Sequence, residues 1–101
     1  MVRKHISSMY KLFSTTKFKK DLKKVKKNRS DFESTALVLK ILETYGVDGV
    51  PKEMNPHKLL GNYKDNWECH IKSDLLIIWI QIENPNTIKL IRIGTHSDLF
   101  K

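Results

Sequence analysis

A chain of 101 residues supports one hydrophobic core and not two, and an apolar content of 40% excludes wholesale disorder. Nineteen Lys and Arg against eleven Asp and Glu give a formal charge of +8, which marks a protein drawn to polyanions, nucleic acid or the ribosome above all. The lone Cys69 excludes an internal disulfide framework, no window approaches about 18 consecutive apolar residues, and no secretory h-region opens the chain, so a cytoplasmic protein without a membrane partner is expected.

Residues 1–8 carry little pattern and are expected to be a disordered extension, with His5 a bystander and Met9 equally suited as a start. A single domain is expected over 9–101. Tyr10 to Phe13 suits a short first strand. Ser14, Thr15 and Thr16 then offer N-caps for a helix from about Lys17 to Lys27, in which Phe18, Leu22 and Val25 form one apolar stripe. Lysines cover the rest of that helix, opposed only by Asp21. Such a face is either plainly solvated or a rail for phosphates, which needs no readout of sequence, and Lys20, Lys23 and Lys24 are its candidate contacts.

Asn28 and Arg29 are expected to end this helix, and Ser30-Asp31-Phe32-Glu33 reads as a capping box for a second one, antiparallel to it, reaching about Tyr45. Val38, Ile41, Leu42 and Tyr45 define its buried side, and Gly46 suits the left-handed position after it. Val47 to Pro56 reads as a loop. Trp67 to Ile71 alternates, with Trp67, Cys69 and Ile71 on one face and Glu68 and His70 on the other. Leu75 to Ile82 is nearly all apolar, as in a strand covered on both faces or lying against helices. Glu83 to Asn86 is a turn, Thr87 to Ile93 the last strand, and Gly94 breaks it. The order predicts an α+β fold: a short N-terminal strand, then two antiparallel helices packed on an antiparallel β-meander.

His57, His70 and His96, with Asp74 and Arg92, each fall at the edge of an apolar run. Cleavage of RNA by its own 2′-hydroxyl requires a base for the hydroxyl proton, an acid for the leaving 5′-oxygen, and cations for the charged phosphorane. Histidine suits the first two roles because it titrates near neutrality. Arg92 with Lys58 or Lys64 would supply the cations. A tight Lys72-Ser73 hairpin would turn His70 away from Asp74, so a loop of three or more residues is expected there. Zinc is not expected: Cys69 and His70 are adjacent in a strand, and neither C-x-x-C nor H-x-x-x-H spacing is present.

Three segments in this order carry a resemblance: His57-x-Leu59-x-Gly61 followed by Lys64; Glu68-Cys69-His70-Ile71-x-x-Asp74; and Arg92-Ile93-Gly94-Thr95-His96-Ser97-x-Leu99-Phe100. From Met9 to Phe100 the chain resembles the RelE/ParE toxin superfamily, and within it the YafQ-type endoribonucleases. The resemblance implies a RelE-like fold and a toxin that enters the ribosomal A site and cuts messenger RNA without metal or cofactor, leaving a 2′,3′-cyclic phosphate and a 5′-hydroxyl. It implies a cognate antitoxin as partner, the 70S ribosome and mRNA as targets, and operator DNA contacted only through the antitoxin complex. The family's catalytic positions fall on His57, His70, Asp74 and His96, with Phe100 shaping the site. The resemblance suggests Asp74 and His70 on the base side and His96 on the acid side, and leaves that division open. Relatives commonly carry an aromatic residue followed by Arg where this chain has Asn66-Trp67, so Trp67 either stacks on a base or packs. ParE-type relatives, which poison gyrase, generally lack the histidine set. A non-enzymatic module binding nucleic acid or gyrase, and a metal hydrolase, are the competing expectations.

Overall fold

The apolar run Leu75–Ile82 is the middle strand of a five-stranded sheet in the computed structural model, which describes residues 9–100. The expected extension at 1–8 lies outside the described residues. In chain order the elements are β1 (Lys11–Ser14), α1 (Thr16–Val25), α2 (Arg29–Tyr45), β2 (His57–Lys58), β3 (Trp67–Lys72), β4 (Leu75–Ile82), β5 (Thr87–Gly94) and the single turn α3 (His96–Leu99). The sheet order is β1-β5-β4-β3-β2, with β1 parallel to β5 and every other pair antiparallel. The α+β architecture expected from the sequence is the observed one, enlarged by β2.

β4 is nearly all apolar because both of its faces are covered over most of its length. On one side Ile77 and Trp79 pack into a layer with Phe18 and Val25 of α1 and Val38 and Leu42 of α2. On the other side Leu76 and Ile78 meet Leu99, with Leu59, Tyr63, Ile91 and Phe100 around them. Each fully buried side chain of this size contributes about 1.5–3 kcal/mol relative to exposure. The helices therefore hold one face, and the second face is left for short elements and loops.

Several boundaries differ from the sequence expectation. Thr15 is the cap of α1, its Oγ1 accepting from the Phe18 N–H at 3.1 Å. α1 stops at Val25, short of the expected Lys27, and Asn28 does not end it: Asn28 caps α2, accepting from the Asp31 N–H at 3.0 Å. Asn is as good a cap as Ser and stands earlier in the chain, so the helix starts before the expected capping box can form. Ser30, now inside the helix, instead accepts from Lys72 Nζ at 2.7 Å. Gly46 closes α2 at φ +66° and ψ −155°, a positive-φ conformation outside the left-handed helical well expected for it. A Cβ there would stand 2.8 Å from the Tyr10 ring. The segment expected as a loop after it holds 3₁₀ turns at Gly46–Gly49 and Lys52–Met54.

Two corrections bear on the site. Gly94 does not break β5 but is its last residue, paired with Leu76; the chain turns one residue later, where Thr95 and Asp98 form the capping box of α3. The β3–β4 loop is not the longer one expected. Lys72 pairs with Leu75, leaving the two-residue turn Ser73-Asp74, and Ile71 is bulged out of a ladder that resumes at His70 and Leu76. The bulge does only part of what the longer loop was expected to do: it turns His70 onto the face away from the helices but does not set Asp74 beside its ring. Without it, strict alternation from the turn would pair His70 with Ile77 and aim it at the helices.

Candidate active site

The sheet face away from the helices carries the histidines. His70 pairs with Leu76, which pairs in turn with Gly94, so the β3 histidine and the approach to His96 flank a single strand. With neighbouring strands about 4.8 Å apart, the two backbones stand about 10 Å from each other, a span suited to one phosphodiester. Two residues back along β3, Glu68 pairs with Ile78 on one side and His57 on the other. His57, Glu68, His70 and His96 thus share one face, over a floor of Leu76, Ile78 and Phe100.

His96 opens α3 and is exposed, its ring 4.9 Å from that of Phe100 at a 39° tilt. Phe100 meets Tyr63 edge-on at 5.7 Å, so an aromatic pair backs the histidine. Asp74, also exposed, accepts the His96 backbone N–H through Oδ1 at 3.0 Å. The turn therefore brings Asp74 to His96 rather than to the His70 ring. Among the described residues nothing hydrogen-bonds that half-buried ring.

His57 is held at both nitrogens. Nδ1 lies 2.7 Å from the Asn55 carbonyl, presented by a left-handed turn residue (φ +52°), and Nε2 lies 3.1 Å from Glu68 Oε1. Glu68 is 5% exposed, and its second oxygen, Oε2, is buried with no hydrogen-bond partner among the described residues. Beside it, burial first and then the Glu68 charge push the Cys69 thiol up to about 12, so this cysteine is an inert core residue.

The expected cations are distributed unevenly. Arg92 is matched within the protein: Nε and Nη2 donate to Asp21 of α1 at 2.7 and 3.1 Å, and Nη1 reaches the Tyr63 hydroxyl at 3.5 Å. The hydrogen-bonded Asp21 carboxylate raises the guanidinium further above its already high value. Asp21 also accepts the Ile93 N–H at 3.1 Å, which ties α1 to the part of β5 that β1 leaves uncovered. Lys58 and Trp67 lie on the opposite face from His57. Lys58 Nζ stands 5.5 Å over the Trp67 ring, which stacks on the core Trp79 at 6.4 Å. Trp67 packs there, and neither residue borders the histidines. Lys64 is exposed one residue after Tyr63, and Lys20, Lys23 and Lys24 are exposed on α1.

Glu68, Tyr63, Asn55 and Asp21 border the candidate site, and reading the sequence assigned none of them a role there. Only Glu68 left a signal: an acid in an apolar strand, two residues from His70 and so on the same face. Among the described residues no group of three or more His, Cys, Asp or Glu is placed to hold a metal ion, and no helix is long and apolar enough to cross a membrane.

The family model described as "Bacterial toxin of type II toxin-antitoxin system, YafQ" matches residues 10–101. Among solved structures, YafQ from E. coli strain BL21(DE3) superposes with a TM-score of 0.80 at 21% identity, covering 91% of this chain and 99% of that one. YafQ in the E. coli DinJ-YafQ toxin-antitoxin complex gives 0.79 at 22% identity, covering 92% and 99%. A metal-bound toxin from Helicobacter pylori gives 0.76 at 36% identity, covering 91% and 100%. No curated protein matches the chain. The E. coli structures establish the RelE-like fold, and with the family match over nearly the whole described chain they lead to one conclusion: the chain belongs to the YafQ family of bacterial toxins of type II toxin–antitoxin systems.

Proposed function

We propose that this toxin is a ribosome-dependent mRNA endoribonuclease that inhibits translation and works without metal. The observation that carries the proposal is the gathering of His57, His70 and His96 with Asp74 on one open sheet face, over the Phe100–Tyr63 pair. The 2′-oxygen attacks the adjacent phosphorus while the 5′-oxygen leaves, so a base and an acid are needed on opposite sides of that phosphorus, and each contributes roughly 10²–10⁴ in rate. Three imidazoles provide both without a Lewis acid. Phe100 offers a face for a base to stack on, and Lys64 a cation at the rim. The exposed lysines of α1, Lys20, Lys23 and Lys24 among them, supply attraction to ribosomal RNA that is independent of sequence. Lys58, Trp67 and Arg92 have other partners and are left out of this assignment.

A chain of charge +8 with such a site needs restraint in its own cell. A cognate antitoxin, acidic and partly disordered before binding, would cover the basic surface or the histidine face, and operator DNA would be contacted only through that complex. The E. coli relative was solved bound to DinJ as a toxin-antitoxin complex. The deciding experiment is primer extension on a message, with and without translation, after induction of this chain. Cleavage confined to translated message and indifferent to EDTA is expected. Growth arrest without any cleavage would favour a toxin that acts by occupancy, and loss of cleavage in EDTA would overturn metal independence.

A further inference from the structure

We infer that the groove between the 3₁₀ turn Lys52–Met54 and the last residues of β3 is a subsite for a guanine base beside the scissile phosphate, read by Glu53. Its place in the reaction rests on the endoribonuclease proposal above; the base it takes does not.

The groove exists because β2 is so short. β2 pairs only with Trp67 and Glu68, so the outer edge of β3 has no ladder partner beyond Glu68 among the described residues. The chain ahead of β2 does not extend that ladder: Pro56 has no N–H to give, and Asn55 is left-handed at φ +52°. It turns away as Lys52–Met54 and leaves a space of about 500 Å³ against His70, Ile71 and Lys72. Small-molecule sites usually span about 300–1,000 Å³. His70 borders this space and also belongs to the histidine face, so a nucleotide whose phosphate lies beside His70 has its base within reach of the groove.

The walls favour a base over a phosphate. Lys72 is the one lysine or arginine on them, and its Nζ is taken by Ser30 Oγ at 2.7 Å and Asp31 Oδ1 at 2.8 Å. Glu53 adds a carboxylate, which repels phosphate. Met54, half-buried, offers a soft and polarizable flank for the flat face of a base.

Glu53 is exposed and has no hydrogen bond or ion pair with another described residue. Its two carboxylate oxygens accept and do not donate. Unpaired RNA bases are read on their Watson–Crick edges, and guanine alone presents two donors side by side there, at N1 and N2. Adenine and cytosine set a bare ring nitrogen beside the amino group, and uracil sets its one N–H between two carbonyls. Each of these would turn a lone pair toward a carboxylate oxygen. The side-chain amide of Asn55, on the same groove and without a hydrogen bond among the described residues, can donate to guanine O6.

The test separates the base from the cut. The full chain is titrated with guanosine 5′-monophosphate and with inosine 5′-monophosphate, which keeps the phosphate and lacks the 2-amino group, while NMR follows the Met54 methyl. The guanosine nucleotide should saturate that shift at a concentration about fivefold or more below the inosine one, the least that a good bidentate base contact is worth. Glu53→Gln, a change at an exposed position, should remove the difference. Equal binding of the two nucleotides, a Met54 methyl that neither moves, or the same shift produced by inorganic phosphate overturns the inference. On translated message, primer extension should show guanine preferred about fivefold or more at one fixed position beside the cut, and Glu53→Gln should level that preference while cutting continues. Cutting with no such preference overturns the subsite and leaves the nuclease proposal intact. Selective guanosine binding by a chain that never cuts RNA supports the guanine site and sinks the nuclease proposal.

Discussion

Asp74, second residue of the β3–β4 turn, accepts the backbone N–H of His96 at 3.0 Å and so fastens the hairpin tip to the first residue of α3. This contact crosses from one end of the site to the other and fixes where the His96 side chain departs. It also makes Asp74 a neighbour of His96 rather than of His70. Asp74→Asn keeps an oxygen that can accept the same N–H, whereas Asp74→Ala removes it. Single-turnover cleavage should therefore fall by at least ~10² in the alanine variant and by no more than about tenfold in the asparagine variant. Equal losses in the two would mean that the carboxylate charge itself is used in the reaction.

Separating chemistry from binding calls for two further variants. His96→Ala should reduce cleavage by at least ~10² while leaving ribosome affinity nearly unchanged, because its ring lies against Phe100 and has no hydrogen-bond partner among the described residues. Replacing Lys20, Lys23 and Lys24 with Gln should do the reverse. Affinity should drop, and the slope of log K against log salt should shrink by roughly 2 to 3, at about 0.7–0.9 per lost phosphate contact. An unchanged salt slope would show that this face of α1 is merely solvated.

Arg92 and Asp21 are 17% and 13% exposed in their side chains, and this pair joins α1 to β5. Removing one partner leaves a partly buried charge without its match, which typically costs about 3–5 kcal/mol. Asp21→Ala should lower the urea midpoint accordingly, with Asp21→Asn intermediate because it still accepts the Ile93 N–H. A destabilisation under about 1 kcal/mol would show that water replaces the carboxylate and that Arg92 is free to serve RNA.

Much of this was legible in the residues, and the limits have physical causes. The apolar run at Leu75–Ile82 announced a doubly covered strand, and the fold shows both layers. Which histidines share a face was less legible, because facing depends on ladder register and a bulge at Ile71 reverses parity without any glycine or proline to mark it. β2 escaped notice since a strand of two residues, His57–Lys58, has no periodicity to detect. Arg92 looked like a phosphate ligand because sequence reveals a charge and hides its partner, here 71 residues away in α1. Trp67 was left between stacking on a base and packing, and its neighbour Trp79, placed opposite it by the β3–β4 register, could not be seen in the sequence.

Alkaline solution should loosen this fold through two groups that take no part in the proposed chemistry. Cys69, ordinarily near 9, is pushed up to about 12 by burial and then by Glu68. Tyr10, ordinarily near 10, is also pushed up to about 12, by burial first and then by its bonds to Glu83, 2.9 Å from its hydroxyl. Both are acids whose neutral form the folded chain favours. Their contribution is therefore complete below the ordinary values and is lost as the pH rises from about 9 toward about 12, where the unfolded chain has already released protons that the folded chain still holds. Urea midpoints should be flat to about pH 8 and fall by about pH 10.5, while Cys69→Ala should fall less steeply over the lower part of that window, where only the thiol titrates. Its core position, 0% exposed, means the variant starts from a lower midpoint, so the slope and not the absolute value is the measure. Identical slopes with and without the thiol would show that Cys69 keeps no excess proton in the folded state.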